Sequence, residues 1–343
     1  MSAAATMSAA VFAGVGRLEV LERPVPRVEG AGDVVLDVEA CGICGSDLQI
    51  LSVPPGHPAT IGVVLGHEFV GVVSEVGDGV TGAEPGDRVV VEPNISCGQC
   101  AWCRRGLRNQ CERFTTIGIF RDGGLAPHVR VPASQCHRVS VALPGRIAAL
   151  AEPLSTVVNG ARQASVFPGE TAAVVGAGPI GLMFVALLRL AGATVVAVEP
   201  GPERAALAER LGADLVVDPT REDVAAAVRR ASGGLGADVV VDAVGSQLPA
   251  ALELVRRGGR ILLFGVNARA RAEIVQERIT REELTIVGSF VGEGVFPDAI
   301  RLLEQGRLDL EPLVTHRIGL EELPAAVDEL RAGRAVKVEV EFA

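Results

Sequence analysis

Four of the chain's seven cysteines, Cys97, Cys100, Cys103 and Cys111, fall in the single stretch "SCGQCAWCRRGLRNQC". Their spacing, C-x2-C-x2-C-x7-C, admits several chemistries. Disulfides between cysteines three apart meet the required Cα separation and Cβ direction awkwardly, and they need an oxidising compartment. An iron–sulfur cluster would use the same four thiolates but connects to nothing else in the chain. Four unlinked thiols would crowd reactive groups onto a surface loop. Four converging thiolates suit tetrahedral Zn²⁺, and a full thiolate set leaves no open coordination position. The stretch is therefore read as a structural zinc lobe, about residues 94–113, that pins the chain and catalyses nothing.

A second stretch, "GAGPIG" from Gly176 to Gly181, fits G-x-G-x-x-G. A glycine-rich turn in a generic α/β domain is the plainer explanation, but here the motif follows a strand pattern, "TAAVVGAG", and opens a helix pattern, "PIGLMFVALLRLAG". Gly176 permits the tight turn, Gly178 lets backbone approach a diphosphate, and Gly181 lets the helix pack close to the sheet. Pro179 and Ile180 start the helix, whose free N–H groups favour an anion. The next strand pattern ends at Glu199. An acid there accepts hydrogen bonds from both adenosine ribose hydroxyls and repels a 2′-phosphate, so NAD is expected rather than NADP. Arg204, Phe264, Gly265, Val266, Ser289 and Phe290 are further candidate cofactor contacts.

The surrounding elements must position these groups. At 343 residues the chain has room for two domains. No apolar run reaches membrane-spanning length. The net charge is -10 and the basic residues are scattered, which argues against nucleic acid as a partner. The N-terminus lacks a basic region followed by a long apolar core, so a cytoplasmic location is expected. "MSAAATMSAA" reads as a frayed tail. Residues from about 10 to 150 read as β-rich, with alternating patterns such as "GDVVLDVEA" and "HEFVGVVSEVGDGV". From Glu170 strands and helices alternate strictly, which implies a parallel sheet with helices on both faces. After "LTIVGSFV" a helix around Asp298–Glu304, another around Leu320–Arg331 and a strand "AVKVEVEF" follow, and these are expected to return to the first domain.

Three cysteines remain, Cys41, Cys44 and Cys136. "CGICGSD", "GHEFVGVVSEVG", the four-cysteine lobe, "AEPLST", "GAGPIG" and "VTHRIGLEELPAAVDEL" occur in the order found in the zinc-dependent medium-chain alcohol dehydrogenases, and the chain resembles that family over nearly its whole length. The resemblance implies an α/β fold: a GroES-like, β-rich catalytic domain over 1–153, a Rossmann domain over 154–290, and a return to the catalytic domain over 291–343. It implies two zinc ions per chain and NAD. Cys44 and His67 would ligate a catalytic zinc, Glu152 would fill the third protein position, and Glu68 would neighbour the metal or exchange onto it. Ser46 would carry the alcohol proton and Asp47 would orient its segment. Taken singly, Cys41 and Cys44 could form a redox pair, His67 could be a satisfied core histidine, and Glu152 could be a surface acid.

The reaction implied is reversible oxidation of a secondary alcohol of polyol, sugar-derived or cyclitol type. A ketone reductase and a threonine- or butanediol-type dehydrogenase are the alternatives within the family. An NAD-binding protein with only a structural zinc is the non-enzyme alternative. Two positions depart from the family pattern. Gln49 stands where many relatives carry a relay histidine, so water or another group such as His57 must complete the relay. Val291 stands where sorbitol-type relatives carry an arginine, with Glu293 nearby. A homo-oligomer, dimer or tetramer, is expected through the sheet edge near "LTIVGSFV".

Overall fold

Valine-rich strands alternating with helices between Leu154 and Val295 build one six-stranded parallel sheet in the computed structural model, which describes residues 5–342. Its strand order is Leu215–Val217, Thr194–Val198, Thr171–Val175, Ala237–Asp242, Val255–Leu263 and Thr285–Gly288. Every residue of Thr171–Val175 is buried, as expected of a central parallel strand covered on both faces. The chain enters and leaves this strand at the sheet's reversal point, so its C-terminal end opens a crevice. Thr285–Gly288 is the outer strand. Gly306–Leu313 joins this unit too, as does 291–295, although the family resemblance implied that all of 291–343 returns to the other domain. Within that segment Leu308, Leu310 and Leu313 are buried.

The other unit comprises the chain up to Pro153, Phe296–Gln305 and the C-terminal segment from Val314. Its main sheet runs Val314–Ile318, Lys337–Glu341, Asp33–Gly42, Glu68–Val76, Arg88–Val91 and Cys136–Arg138, with His128–Pro132 paired to Asp33–Gly42. One apolar core including Val34, Leu36, Ile50, Leu65, Phe69, Val338 and Val340 lies against it. The C-terminal strand pairs antiparallel with Asp33–Gly42, which sets the end of the chain beside the segment that carries Cys44.

Two expectations fail. "MSAAATMSAA" is not a frayed tail over its described part: Thr6–Gly14 is a strand paired with Arg17–Pro24. Ala9 and Ala10 are fully buried, and Ala10 both donates to Leu125 O (2.9 Å) and accepts from Leu65 N (3.0 Å). Residues 1–4 of that stretch lie outside the described residues. Within the alternating region the sequence reads "PAALELVRRG" as a helix followed by the strand "RILLFGV", and that helix overruns. The helix ends at Leu254, where Val255 is already extended (φ −72°, ψ 140°) and pairs with Ala237 as the first residue of the strand Val255–Leu263.

Candidate metal and cofactor sites

The four-cysteine lobe converges. The ligand atoms of Cys97, Cys100, Cys103 and Cys111 all lie within 4.8 Å of one another. Cys100 and Cys103 sulfurs are 3.5 Å apart, and Cys97 and Cys103 sulfurs 4.0 Å. A tetrahedron of sulfurs about 2.3 Å from a zinc ion has edges of about 3.8 Å, whereas a disulfide bond is about 2.05 Å long. Backbone N–H groups of Cys97 and Arg113 donate to Cys111 Sγ (3.2 and 3.3 Å), and Cys100 N donates to Cys97 Sγ (3.4 Å). Such donors stabilise thiolates. The Cys97 thiol is accordingly brought down to about 6, led by the Gln99 amide, while burial pushes the Cys103 thiol up to about 11. The lobe fits a zinc ion held by four cysteines.

The second cluster is buried. Cys44, His67 and Glu68 place their ligand atoms within 4.8 Å of one another. Cys44 caps the short helix Gly45–Ile50, and its backbone N–H donates to Asp47 Oδ2 (2.9 Å). This bond fixes the turn that presents Cys44 and Ser46. Glu68 is the first residue of the neighbouring strand Glu68–Val76, and His67 immediately precedes it. Ser46 Oγ lies 3.3 Å from His67 Nε2. His67 Nδ1 and Asp47 Oδ1 face each other at 3.8 Å, and both are buried without a hydrogen-bond partner. With Nδ1 turned toward a carboxylate, Nε2 is the nitrogen left for a metal, the usual carboxylate–histidine–metal arrangement. A cation here would compensate the buried acids, so the donor set fits Zn²⁺ with an open position.

Glu152, in the first turn of the helix Ala151–Ala164, is buried in the same unit but is not a member of the 4.8 Å trio. Burial raises its carboxyl to about 7, partly offset by His67. His67 is itself pulled down by burial but driven further up by Cys44, Asp47 and Glu152. Cys41 is fully buried, and burial pushes its thiol well above the ordinary range. That environment makes it inert and speaks against a redox pair with Cys44.

Sequence reasoning passed over Lys337 and Glu339. Both are buried, and the Lys337 ammonium contacts the Glu68 carboxylate and donates to Ile43 O (3.1 Å). Their one sequence signal is a charged alternation within an apolar strand, "VKVEVE".

In the other unit Gly176 sits at φ +91° between the strand and the helix Pro179–Leu190. A Cβ on Gly181 would collide with Gly176 O, so the close turn requires glycine there. Beside this turn is a cleft of about 710 Å³ lined by residues including Gly176, Glu199, Glu222, Asp223, Val244 and Glu253. Its lining contains four carboxylates and no arginine or lysine; Arg204 is not part of it. Glu199 is buried and accepts from Ala177 N (2.8 Å) and Gly201 N (2.9 Å), which fix its carboxylate at the crevice. Gly178, Pro179, Ile180, Phe264, Gly265, Val266, Ser289 and Phe290 do not line this cleft.

Ser289 and Val291 are braced from the helix Ala151–Ala164. Asn159 Nδ2 donates to Val291 O (2.7 Å) and to Ser289 Oγ (3.3 Å). Val291 itself has φ +47°, a left-handed conformation costly for a β-branched residue. Replacing Val291 by Gly is expected to raise stability by up to about 1 kcal/mol, since roughly 1–2 kcal/mol of left-handed strain outweighs the flexibility of glycine. A thermal melt checks this, and Val291→Ala, which keeps a Cβ, should show no comparable gain.

Comparison with known proteins agrees with this geometry. Residues 30–141 match the alcohol dehydrogenase GroES-like domain, and residues 179–305 match the zinc-binding dehydrogenase family. D-altritol 5-dehydrogenase of Agrobacterium fabrum is 37% identical, covering 92% of this chain and 94% of its own. L-threonine 3-dehydrogenase of Pyrococcus abyssi is 35% identical, covering 93% and 94%. A Sinorhizobium meliloti 1021 protein solved as a zinc-binding dehydrogenase bound to NADP superposes with a TM-score of 0.93 at 35% identity, covering 98% of this chain and all of that one. Matched in both domains and along nearly its full length, the chain belongs to the zinc-dependent medium-chain alcohol dehydrogenases, oxidoreductases that act on CH–OH groups.

Proposed function

We propose that this protein is an NAD-dependent dehydrogenase of secondary alcohols of the polyol or sugar-derived type, with two zinc ions per chain. The observation that carries the cofactor choice is the acid-lined cleft beside Gly176. A 2′-phosphate there would face Glu199, Glu222 and Asp223, and the arginine beside the cleft, Arg278, is already paired with Glu253 (2.5 Å). The adenosine ribose of NAD, by contrast, offers two hydroxyl donors to Glu199. The bound NADP of the Sinorhizobium protein is that protein's property. The polyol reading is supported by the altritol dehydrogenase relative, and the threonine dehydrogenase relative places amino alcohols on the same test panel.

A zinc ion at Cys44 and His67, with Glu68 or Glu152 as the acidic ligand, would act as a Lewis acid that lowers the pKa of an alcohol oxygen. NAD would accept the hydride. The chain's own residues do the rest. Ser46 Oγ, 3.3 Å from His67 Nε2, is placed to take a hydroxyl proton and pass it outward. Asp47 holds the Cys44 turn and faces the imidazole. Gln49 ends the relay with an amide, which cannot titrate near neutral pH. His57 Nδ1–H donates to Pro58 O (2.7 Å), which commits that ring nitrogen to a backbone carbonyl. Water then completes the relay. Gln49→His is expected to introduce a new ionisation into the pH dependence of kcat; an unchanged profile would remove residue 49 from proton transfer.

Glu199→Ala tests the cofactor assignment. Loss of two charge-assisted hydrogen bonds to the ribose should lower kcat/KM for NAD by roughly a hundredfold or more. The same change should improve use of NADP. A wild-type enzyme already preferring NADP would contradict the assignment. The outer strand Thr285–Gly288 offers unpaired backbone at the sheet edge, and we assign it as the contact of a homo-oligomer in the cytoplasm.

A further inference from the structure

Three non-glycine residues take a left-handed backbone among the described residues: Ser165 at φ +50°, Glu283 at φ +50° and Val291 at φ +47°. Ser165 and Glu283 each follow a helix, Ala151–Ala164 and Gln276–Arg281, where a left-handed residue commonly closes the last turn. Val291 closes no helix. It is β-branched, the side-chain type for which this conformation is a genuine outlier. Such a residue persists only where its surroundings over-determine it, and such residues cluster at ligand sites.

The surroundings here are one face of the helix Ala151–Ala164. Ser155 and Asn159 stand four residues apart on it, 2% and 5% exposed. Asn159 Nδ2 donates to Val291 O (2.7 Å) and to Ser289 Oγ (3.3 Å). A backbone carbonyl only accepts, so the amide nitrogen and not its oxygen must face Val291. Gly292 passes so close to the helix that a Cβ on it would lie 2.6 Å from Ser155 Oγ. The helix is itself closely seated. A Cβ on Gly160 would lie 2.8 Å from Phe184 Cζ and 2.9 Å from Phe264 Cδ2, and those two rings pack edge to face at 4.9 Å. The bracing amide therefore stands on a helix with little room to shift.

The braced segment lies where the second half of a dinucleotide belongs. A doubly wound sheet consists of two mononucleotide-binding halves on either side of its reversal. Glu199, just after Thr194–Val198, claims the adenosine for the half that ends at Leu215–Val217. The nicotinamide then falls to the other half, Ala237–Asp242, Val255–Leu263 and Thr285–Gly288. The last of these strands runs directly into Ser289, whose N–H donates to Leu263 O (3.2 Å) and keeps the segment in line with the sheet.

We infer that Asn159 is a positioning residue for the nicotinamide half of the cofactor: its amide holds Ser289–Val291 in a strained turn before the cofactor arrives, so that the ring meets a formed wall and does not have to order one. The inference rests on the reading that this crevice takes NAD.

ADP-ribose carries the adenosine, the diphosphate and a second ribose but no nicotinamide, so it separates the two halves. Asn159→Ala should weaken NADH binding to the full zinc-loaded chain, read by calorimetry, by about ten- to a hundredfold, the worth of two neutral hydrogen bonds. ADP-ribose should bind the variant as it binds wild type. A merely structural role would weaken both ligands together or lower the melting temperature alone, and either result overturns the inference. Glycine takes a left-handed turn without strain. The loss caused by Asn159→Ala should therefore shrink in a Val291→Gly background, and an undiminished loss overturns the clamp. Should Asn159→Ala disturb folding, hydrogen exchange of the wild type decides it. Backbone amides of 289–294 should gain protection with NADH and not with ADP-ribose, and equal protection by the two overturns the inference. A wild type that binds neither ligand refutes the cofactor reading itself.

Discussion

Cys44→Ser should lower kcat/KM by about three orders of magnitude or more and reduce bound zinc by one ion per chain. The magnitude follows from what is lost. Lewis-acid stabilisation of developing charge on oxygen is worth several kcal/mol, and each 1.4 kcal/mol is about tenfold in rate. A serine hydroxyl in place of a thiolate also leaves His67 and Glu68 without their soft partner, in a buried cluster where Asp47 and His67 already have unsatisfied atoms. The lobe cysteines lie on a separate loop, so the variant should keep its fold and its second zinc. Circular dichroism and metal content together read this. A variant that loses zinc from both sites would mean that the two sites are not independent.

Cys103→Ser should act in the opposite sense. Cys103 is among the most buried of the four lobe sulfurs, 3.5 Å from Cys100 and 4.0 Å from Cys97. Removing one ligand of a closed tetrahedral site is expected to release the ion and unfold the lobe, because binding free energy of structural zinc, on the order of 10 kcal/mol, is folding free energy. The effect should appear as a large drop in melting temperature and as proteolytic cleavage within about residues 94–113, while zinc at Cys44 and His67 remains. A Cys103→Ser protein that keeps its melting temperature would show that the lobe folds without metal. Chelation of the wild type should reproduce both variants in order of exposure, with the lobe's Cys97 and Cys100 more accessible than buried His67 and Glu68.

Much of this architecture is legible in local sequence, for a physical reason in each case. "TAAVVGAGPIG" announces a buried strand, a glycine turn and a helix start within eleven residues, and Thr171–Val175 followed by Pro179–Leu190 is what forms. The four cysteines are legible because their spacing is itself the constraint. What local pattern misses depends on contacts far apart in the chain. Ala9 and Ala10 look like a loose tail until Leu21 and Val20 pair with them across the hairpin and Leu65 and Leu125 bond the backbone of Ala10. The helix pattern overruns Leu254 because its periodicity says nothing of Ala237, the partner that draws Val255 into the parallel sheet. At the metal site the motifs give Cys44, His67 and Glu152, but sequence cannot rank Glu68 against Glu152, since their distances to Cys44 follow from tertiary packing. Lys337 and Glu339 are invisible for the same reason: only the pairing of Gly42 with two strands, 26 and 297 residues along the chain, brings them to Glu68.

The most direct test of the account is zinc per chain measured together with reduction of NAD and NADP over a panel of polyols, cyclitols, diols and threonine. The account predicts close to two zinc ions and NADH formation on a secondary alcohol, with NADP a poor substitute. One zinc per chain with no turnover on any alcohol would contradict it, because Cys44, His67 and Glu68 would then hold no metal and the reaction would have no centre.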